Sequence, residues 1–171
     1  MRARGLVVLV WLLCLGAGAP DPVEMQVGGV LPVRGGGAAV VLIDPTTSKV
    51  LAIMVGGTEA FSIQLRLTKQ HYPRPLTHDL IESIVRELGG KVVRVQVDEI
   101  RDAAFVASVF MRVGERTARI DARPSDGIAL ALGNALPVFV AREVLDKAGM
   151  SPDALDEPES ARPKPSRRGP I

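Results

Sequence analysis

Residues 91–122 read KVVRVQVDEIRDAAFVASVFMRVGERTARIDA, and their alternation decides the fold class. Val93, Val95 and Val97 recur at every second position, followed by Phe105, Ala107, Val109 and Met111, then Ala118, Ile120 and Ala122. A period of two puts each set on one face of a strand. The turns at Arg101-Asp102 and Gly114-Glu115 are too short for crossovers, so the three strands form an antiparallel meander. Arg112, Arg116 and Arg119 are expected on its exposed face or edge.

Downstream, residues 125–132 read as a helix entered through Arg123-Pro124-Ser125-Asp126 and closed by Gly133-Asn134. Residues 137–140 form a short strand and residues 142–148 a short helix ended by Gly149. Upstream, Leu80, Ile81, Ile84, Val85 and Leu88 make one helical stripe, capped by Thr77 and stopped by Gly89-Gly90. Another helix covers residues 60–67, with Thr58 as its cap, Glu59 in its first turn, and Phe61, Ile63 and Leu65 facing inward. Residues 38–43 and 50–55 are apolar runs around the turn Asp44-Pro45-Thr46-Thr47-Ser48-Lys49, a hairpin of buried strands. Residues 25–33 add a strand that Pro32 places at an edge or ends. This order lacks the regular alternation of a doubly wound sheet. The expectation is a single α+β domain over residues 38–150, with a mixed, mostly antiparallel sheet and about four helices, preceded by a segment at 20–37.

The ends have a different character. Residues 1–19, MRARGLVVLVWLLCLGAGA, have a basic start, an apolar run of ten and a small-x-small close. They read as a secretory signal peptide, so the protein is expected to be exported, periplasmic or secreted. Cys14, the one cysteine, lies inside it, which leaves the mature chain no thiol for a disulfide, a zinc–thiolate site or a nucleophile. Residues 151–171 mix five prolines with charges and read as a disordered tail.

Charge and composition limit function. The 21 Lys and Arg against 19 Asp and Glu give +2. Removing Arg2 and Arg4 with the leader leaves 19 against 19, and removing four of each with the tail leaves 15 against 15. The body is neutral, so polyanion binding needs local clustering. Aromatics at 4% argue against the usual base-stacking platform. No Walker loop, dinucleotide fingerprint, H-E-x-x-H or G-x-S-x-G occurs, and two histidines, His71 and His78, cannot build a His-rich metal site.

Two polar clusters remain, each at a helix entrance. In Arg74-Pro75-Leu76-Thr77-His78-Asp79 an arginine and a helix N-terminus could attract phosphate, or Thr77 could simply cap while Asp79 holds His78. In Asp121-Ala122-Arg123-Pro124-Ser125-Asp126 paired carboxylates suit Mg²⁺ or Mn²⁺ and an arginine suits phosphate. Equally, Ser125 or Asp126 could cap and Arg123 could pair with Asp121.

These two clusters carry a resemblance. Pro73-Arg74-Pro75-Leu76-Thr77-His78-Asp79-Leu80 and, further on, IDARPSDGIALA at residues 120–131 are similar to the bifunctional nuclease (BFN) domain family, as are VGGTEA at 55–60 and LPVFVAREVL at 136–145. Gly127 stands where the family pattern usually has alanine. The resemblance implies an α+β homo-oligomer that cleaves RNA and/or DNA, with RNA or single-stranded DNA as its partner and Mg²⁺ or Mn²⁺ as its metal. It carries over Glu59, His78, Asp79, Asp121, Arg123, Ser125 and Asp126. In that reading Asp121 and Asp126 hold a divalent metal, His78 or Glu59 acts as base, and Arg74 and Arg123, with Ser125, hold the phosphate. The alternatives are a non-catalytic binding or assembly domain in which the same motifs are structural, and a site for a small anionic ligand.

Overall fold

The computed structural model describes residues 21–155; the leader, and the tail beyond residue 155, lie outside the described residues. The chain is α+β. Its strands are β1 (Val23–Pro32), β2 (Ala38–Ile43), β3 (Val50–Val55), β4 (Gly90–Arg101), β5 (Ala104–Val113), β6 (Arg116–Ala122) and β7 (Val138–Val140). They form a seven-stranded sheet in the order β3-β2-β1-β7-β4-β5-β6, antiparallel except where β4 meets β7. The helices are α1 (Gly57–Leu67), α2 (Thr77–Glu87), α3 (Pro124–Gly133) and α4 (Arg142–Ala148). Pro152–Leu155 adds a 3-10 turn where the tail was expected to be disordered already.

The meander forms as its alternation requires, with one change of register. A bulge between Val92 and Arg94 turns Val92, rather than Val93, into the core with Val95 and Val97. Ile120 alternates with Ala118 and Ala122 as expected, yet it is 42% exposed, because β6 is the free edge of the sheet. β1 ends at Pro32, one of the two expectations for that residue, but it is not an edge strand, since it lies between β2 and β7. Pro32 is tolerated because β7 pairs only with Val23, Glu24 and Met25, so the far end of β1 has a partner on one side only.

The core is aliphatic, as the low aromatic content requires. Met25, Leu42, Leu51, Ile63, Val95, Val97, Ile128, Val138 and Val140 are fully buried. Each contributes about 1.5–3 kcal/mol by burial. α3 lies against β4 and β5, and Gly127 permits the contact. A Cβ there would stand 2.8 Å from Val95 Cγ1, so alanine would need Val95 to give way.

Helix entrances differ from expectation. Gly56, Leu76 and Arg123 are the N-caps of α1, α2 and α3, and none uses a side-chain cap. Thr58 and Thr77 are therefore inside their helices, and neither Ser125 nor Asp126 caps α3. Phe61 is 48% exposed, against Tyr72 in an edge-to-face pair 6.0 Å apart. On α2 the apolar stripe is wider than the core it faces: Leu80, Ile84 and Leu88 are at least half exposed.

The β2–β3 turn is closed by Asp44, buried under its own hydrogen bonds from the backbone N–H and hydroxyl of Thr46 and Thr47. The Thr46 hydroxyl first, then that of Thr47, hold the Asp44 carboxyl at about 2 against an ordinary 3.8. A lowered carboxyl stabilises the fold fully above its ordinary value, and that contribution disappears as pH falls through about 4 toward about 2. Asp44→Asn should lower stability at neutral pH and flatten this acid limb, measured by urea unfolding between pH 2 and 6. Parallel curves for the two proteins would refute the role of the charge.

Candidate functional site at three helix entrances

The N-termini of α1, α2 and α3 converge. Each supplies one polar side chain from its first turn: Glu59, His78 and Asp126. Arg123, at the end of β6, joins them. Its Nε and one terminal nitrogen donate to Asp126 Oδ2 and Oδ1 at 2.8 and 3.0 Å, and the other terminal nitrogen donates to Glu59 Oε1 at 2.8 Å. His78 is buried, with Nε2 3.2 Å from Asp126 Oδ1 and Nδ1 3.0 Å from Ser62 Oγ. Glu59, Ser62, His78, Arg123 and Asp126 all line one cavity of about 340 Å³. A second cavity, of about 540 Å³, shares Glu59 and Arg123 and reaches buried Ser125.

The electrostatics follow from these contacts. Burial alone would raise the Asp126 carboxyl, but hydrogen bonds from Arg123 and His78 outweigh it and hold it below the usual range. Asp126, then Glu59, holds Arg123 firmly protonated. An ionised Asp126 only accepts, so a neutral His78 carries its proton on Nε2 and takes the Ser62 hydroxyl hydrogen at Nδ1. Ser62 was missed in the sequence. Its signal was a serine between Phe61 and Ile63 on the inward side of an apolar helix.

Other expected residues lie elsewhere. Asp79 pairs with Arg66 at 2.6 Å, and its second oxygen takes the Leu76 N–H at 2.8 Å, so it fastens α2 and does not hold His78. Arg74 is exposed on the preceding loop and does not line the cavity. Asp121 opposes Ser108 across β5–β6, whereas neighbouring Val109 faces α3 at Gly127. Asp121 is therefore on the sheet face away from Asp126, and Arg123 pairs with Asp126 and Glu59 instead. The Asp121–Asp126 pair does not fit a shared divalent metal. A guanidinium already stands between the carboxylates of the cluster, and the described residues contain no group of three or more His, Cys, Asp or Glu arranged as ligands.

The sequence profile of the bifunctional nuclease domain matches residues 40–153, the segment that holds all three helix entrances. The chain belongs to the bifunctional nuclease domain family. An uncharacterized protein of Mycobacterium tuberculosis is 33% identical over 136 residues, covering 78% of this chain and 81% of that one. Bifunctional nuclease 1 of Oryza sativa subsp. japonica is 24% identical over 116 residues, 66% of this chain but 35% of the rice protein. The bifunctional nuclease of Oryza minuta matches to the same extent.

Removing Arg123 leaves Asp126 with burial, its largest single influence, opposed by His78 alone. Arg123→Ala should therefore raise the Asp126 titration midpoint, read by carboxyl ¹³C NMR. An unchanged midpoint would show that the ion pair does not form in solution.

Proposed function

We propose that the protein hydrolyses phosphodiester bonds of RNA or single-stranded DNA at the junction of α1, α2 and α3. The observation that carries this reading is the exposed Arg123 fixed between Glu59 and Asp126, beside a His78 held at both ring nitrogens. Three of the five guanidinium N–H groups are taken by the carboxylates, and the other two are left for phosphate oxygens. Three helix N-termini add their partial positive charge.

The roles follow from position. Glu59 gives Oε1 to Arg123, so its other oxygen takes the proton of the attacking water. Water oxygen bonds to phosphorus, the P–O bond to the leaving group breaks, and the leaving oxygen takes the Nε2 proton of His78 in its imidazolium form, which returns the ring to neutral. Asp126 stabilises the charged ring, and Ser62 sets its orientation. No step needs a metal, because Arg123 supplies the cation. Family membership and the rice relatives named as bifunctional nucleases support the substrate class. Export through the leader and homo-oligomeric assembly belong to the same proposal, and the exposed stripe of Leu80, Ile84 and Leu88 supports assembly. No described helix is long and apolar enough to cross a membrane.

A second reading has its own observation: every charged side chain in the cluster is paired within the protein, as in a structural clamp of a non-catalytic domain. Magnitude separates the two. The Arg123 side chain is 65% exposed, and surface pairs contribute about 0–1 kcal/mol. A clamp of that strength explains little. The expected result is that Glu59→Gln, His78→Ala and Arg123→Ala each lower cleavage of labelled RNA by about 100-fold or more, while the melting temperature barely moves in Glu59→Gln and Arg123→Ala. Ser62→Ala should lower it less. Cleavage by the parent protein should persist in EDTA and need neither Mg²⁺ nor Mn²⁺. A large fall in melting temperature with no cleavage to lose would establish the clamp.

A further inference from the structure

The sheet has a second face, away from α3, and it holds the largest of the described cavities, about 790 Å³. Three arginines, Arg94, Arg119 and Arg142, line it against two acids, Asp98 and Glu143. Asp98 is already used: it accepts from Gln96, Ser108 and Arg119. Arg94 is different. It lies half-buried and flat over the Phe139 ring, 4.1 Å from its centroid, and donates to the neutral amide of Gln96. Its Nε is the one buried side-chain nitrogen or oxygen without a hydrogen-bond partner among the described residues.

A half-buried cation that forms no ion pair is costly unless an anion joins its exposed side. The surroundings are also aromatic. Phe110 lines the cavity, and Phe139, level with Gln96 on the next strand, supports Arg94 from below. Composition argued against a stacking platform, yet two of the four phenylalanines are gathered here. Guanidinium planes and phenyl rings both stack on bases, and arginines take phosphate.

We propose that this open sheet face binds a nucleotide unit, its base against Arg94 and Phe110 and its phosphate at Arg142 and the cavity side of Arg94. The unit is either a free mononucleotide or part of a single strand. β6 carries Arg119 on this face and runs directly into Arg123, so a strand seated here leads around the sheet edge to the helix junction. The proposal rests on nucleic acid being the partner, and it does not require cleavage.

Fluorescence anisotropy of a short labelled oligothymidylate with the full chain tests it, in the parent protein and in a His78→Ala background that removes any turnover. Arg94→Ala and Phe110→Leu should each weaken binding about tenfold, the scale of one lost stacking contact. Exposed Arg142→Ala should weaken it and reduce the salt slope by about 0.7, as loss of one phosphate contact does on a single strand. Arg94→Lys keeps the charge and should recover only part of the affinity. Unlabelled thymidine monophosphate that displaces the probe identifies a mononucleotide site, whereas displacement by the oligonucleotide alone identifies a strand site; either supports the proposal. An abasic strand or polyglutamate that competes equally well, or binding that Arg142→Ala leaves unchanged, would overturn it. Binding lost in Arg94→Ala and Arg142→Ala, from a parent protein that does not cleave, would refute the nuclease reading and leave this site intact.

Discussion

Arg66 is the constraint on which the helical layer depends. Its side chain is only 10% exposed, yet it carries a charge, and two carboxylates of α2 meet it: Asp79 at 2.6 Å and Glu82 at 2.7 Å. Breaking a buried pair on one side typically costs about 3–5 kcal/mol, because the remaining charge stays buried. The same Glu82 approaches Asn134 at the end of α3, and a Cβ on Gly133 would stand 1.8 Å from an Arg66 nitrogen. Thus one guanidinium from α1, two acids from α2 and a missing side chain on α3 fix the mutual placement of three helices. Their N-termini meet because this brace holds their bodies.

The two arginines divide the work. Arg66 is buried and doubly neutralised, so it contributes to stability and offers nothing to a ligand. Arg123 is mostly exposed, so its pairs with Glu59 and Asp126 are weak as stabilisers but effective in aligning it. Gly56 assists: a Cβ there would stand 2.6 Å from Glu59 Oε2, so the glycine leaves room for the carboxylate to fold back over the cap.

The fold was legible where one local rule acts alone. Alternation located the meander, and the turn chemistry around Asp44 located the β2–β3 hairpin. It was less legible where neighbours decide. Nothing local says that β7 will slip between β1 and β4, which is why β1 reads as an edge although it lies inside. The bulge after Val92 reverses which of two adjacent valines is buried, and periodicity alone cannot register it. Site legibility divides in the same way. Glu59, His78, Arg123 and Asp126 stand in helix entrances that the motifs mark, and they come together. Asp79 and Asp121 stand in the same motifs, but Arg66 claims the first and strand parity turns the second to the opposite face. Ser62 carries no motif and is recognised only through its partner, His78.

Neutrality of the body removes long-range attraction for a nucleic-acid partner. What matters is how the charges are compensated. Asp44 is satisfied by threonines and the carboxylates of Asp79 and Glu82 by Arg66, so these acids project little field outward. Arg123, Arg94 and Arg142 are placed differently: at a helix junction, on a phenyl ring and at the start of α4. A balanced total with some acids already paired and arginines clustered at two places gives short-range attraction without long-range steering. Such a surface meets a polyanion slowly and holds it only by contact, so selectivity falls to the geometry of base and phosphate contacts. That suits a chain whose polar side chains are concentrated at one helix junction and one open sheet face.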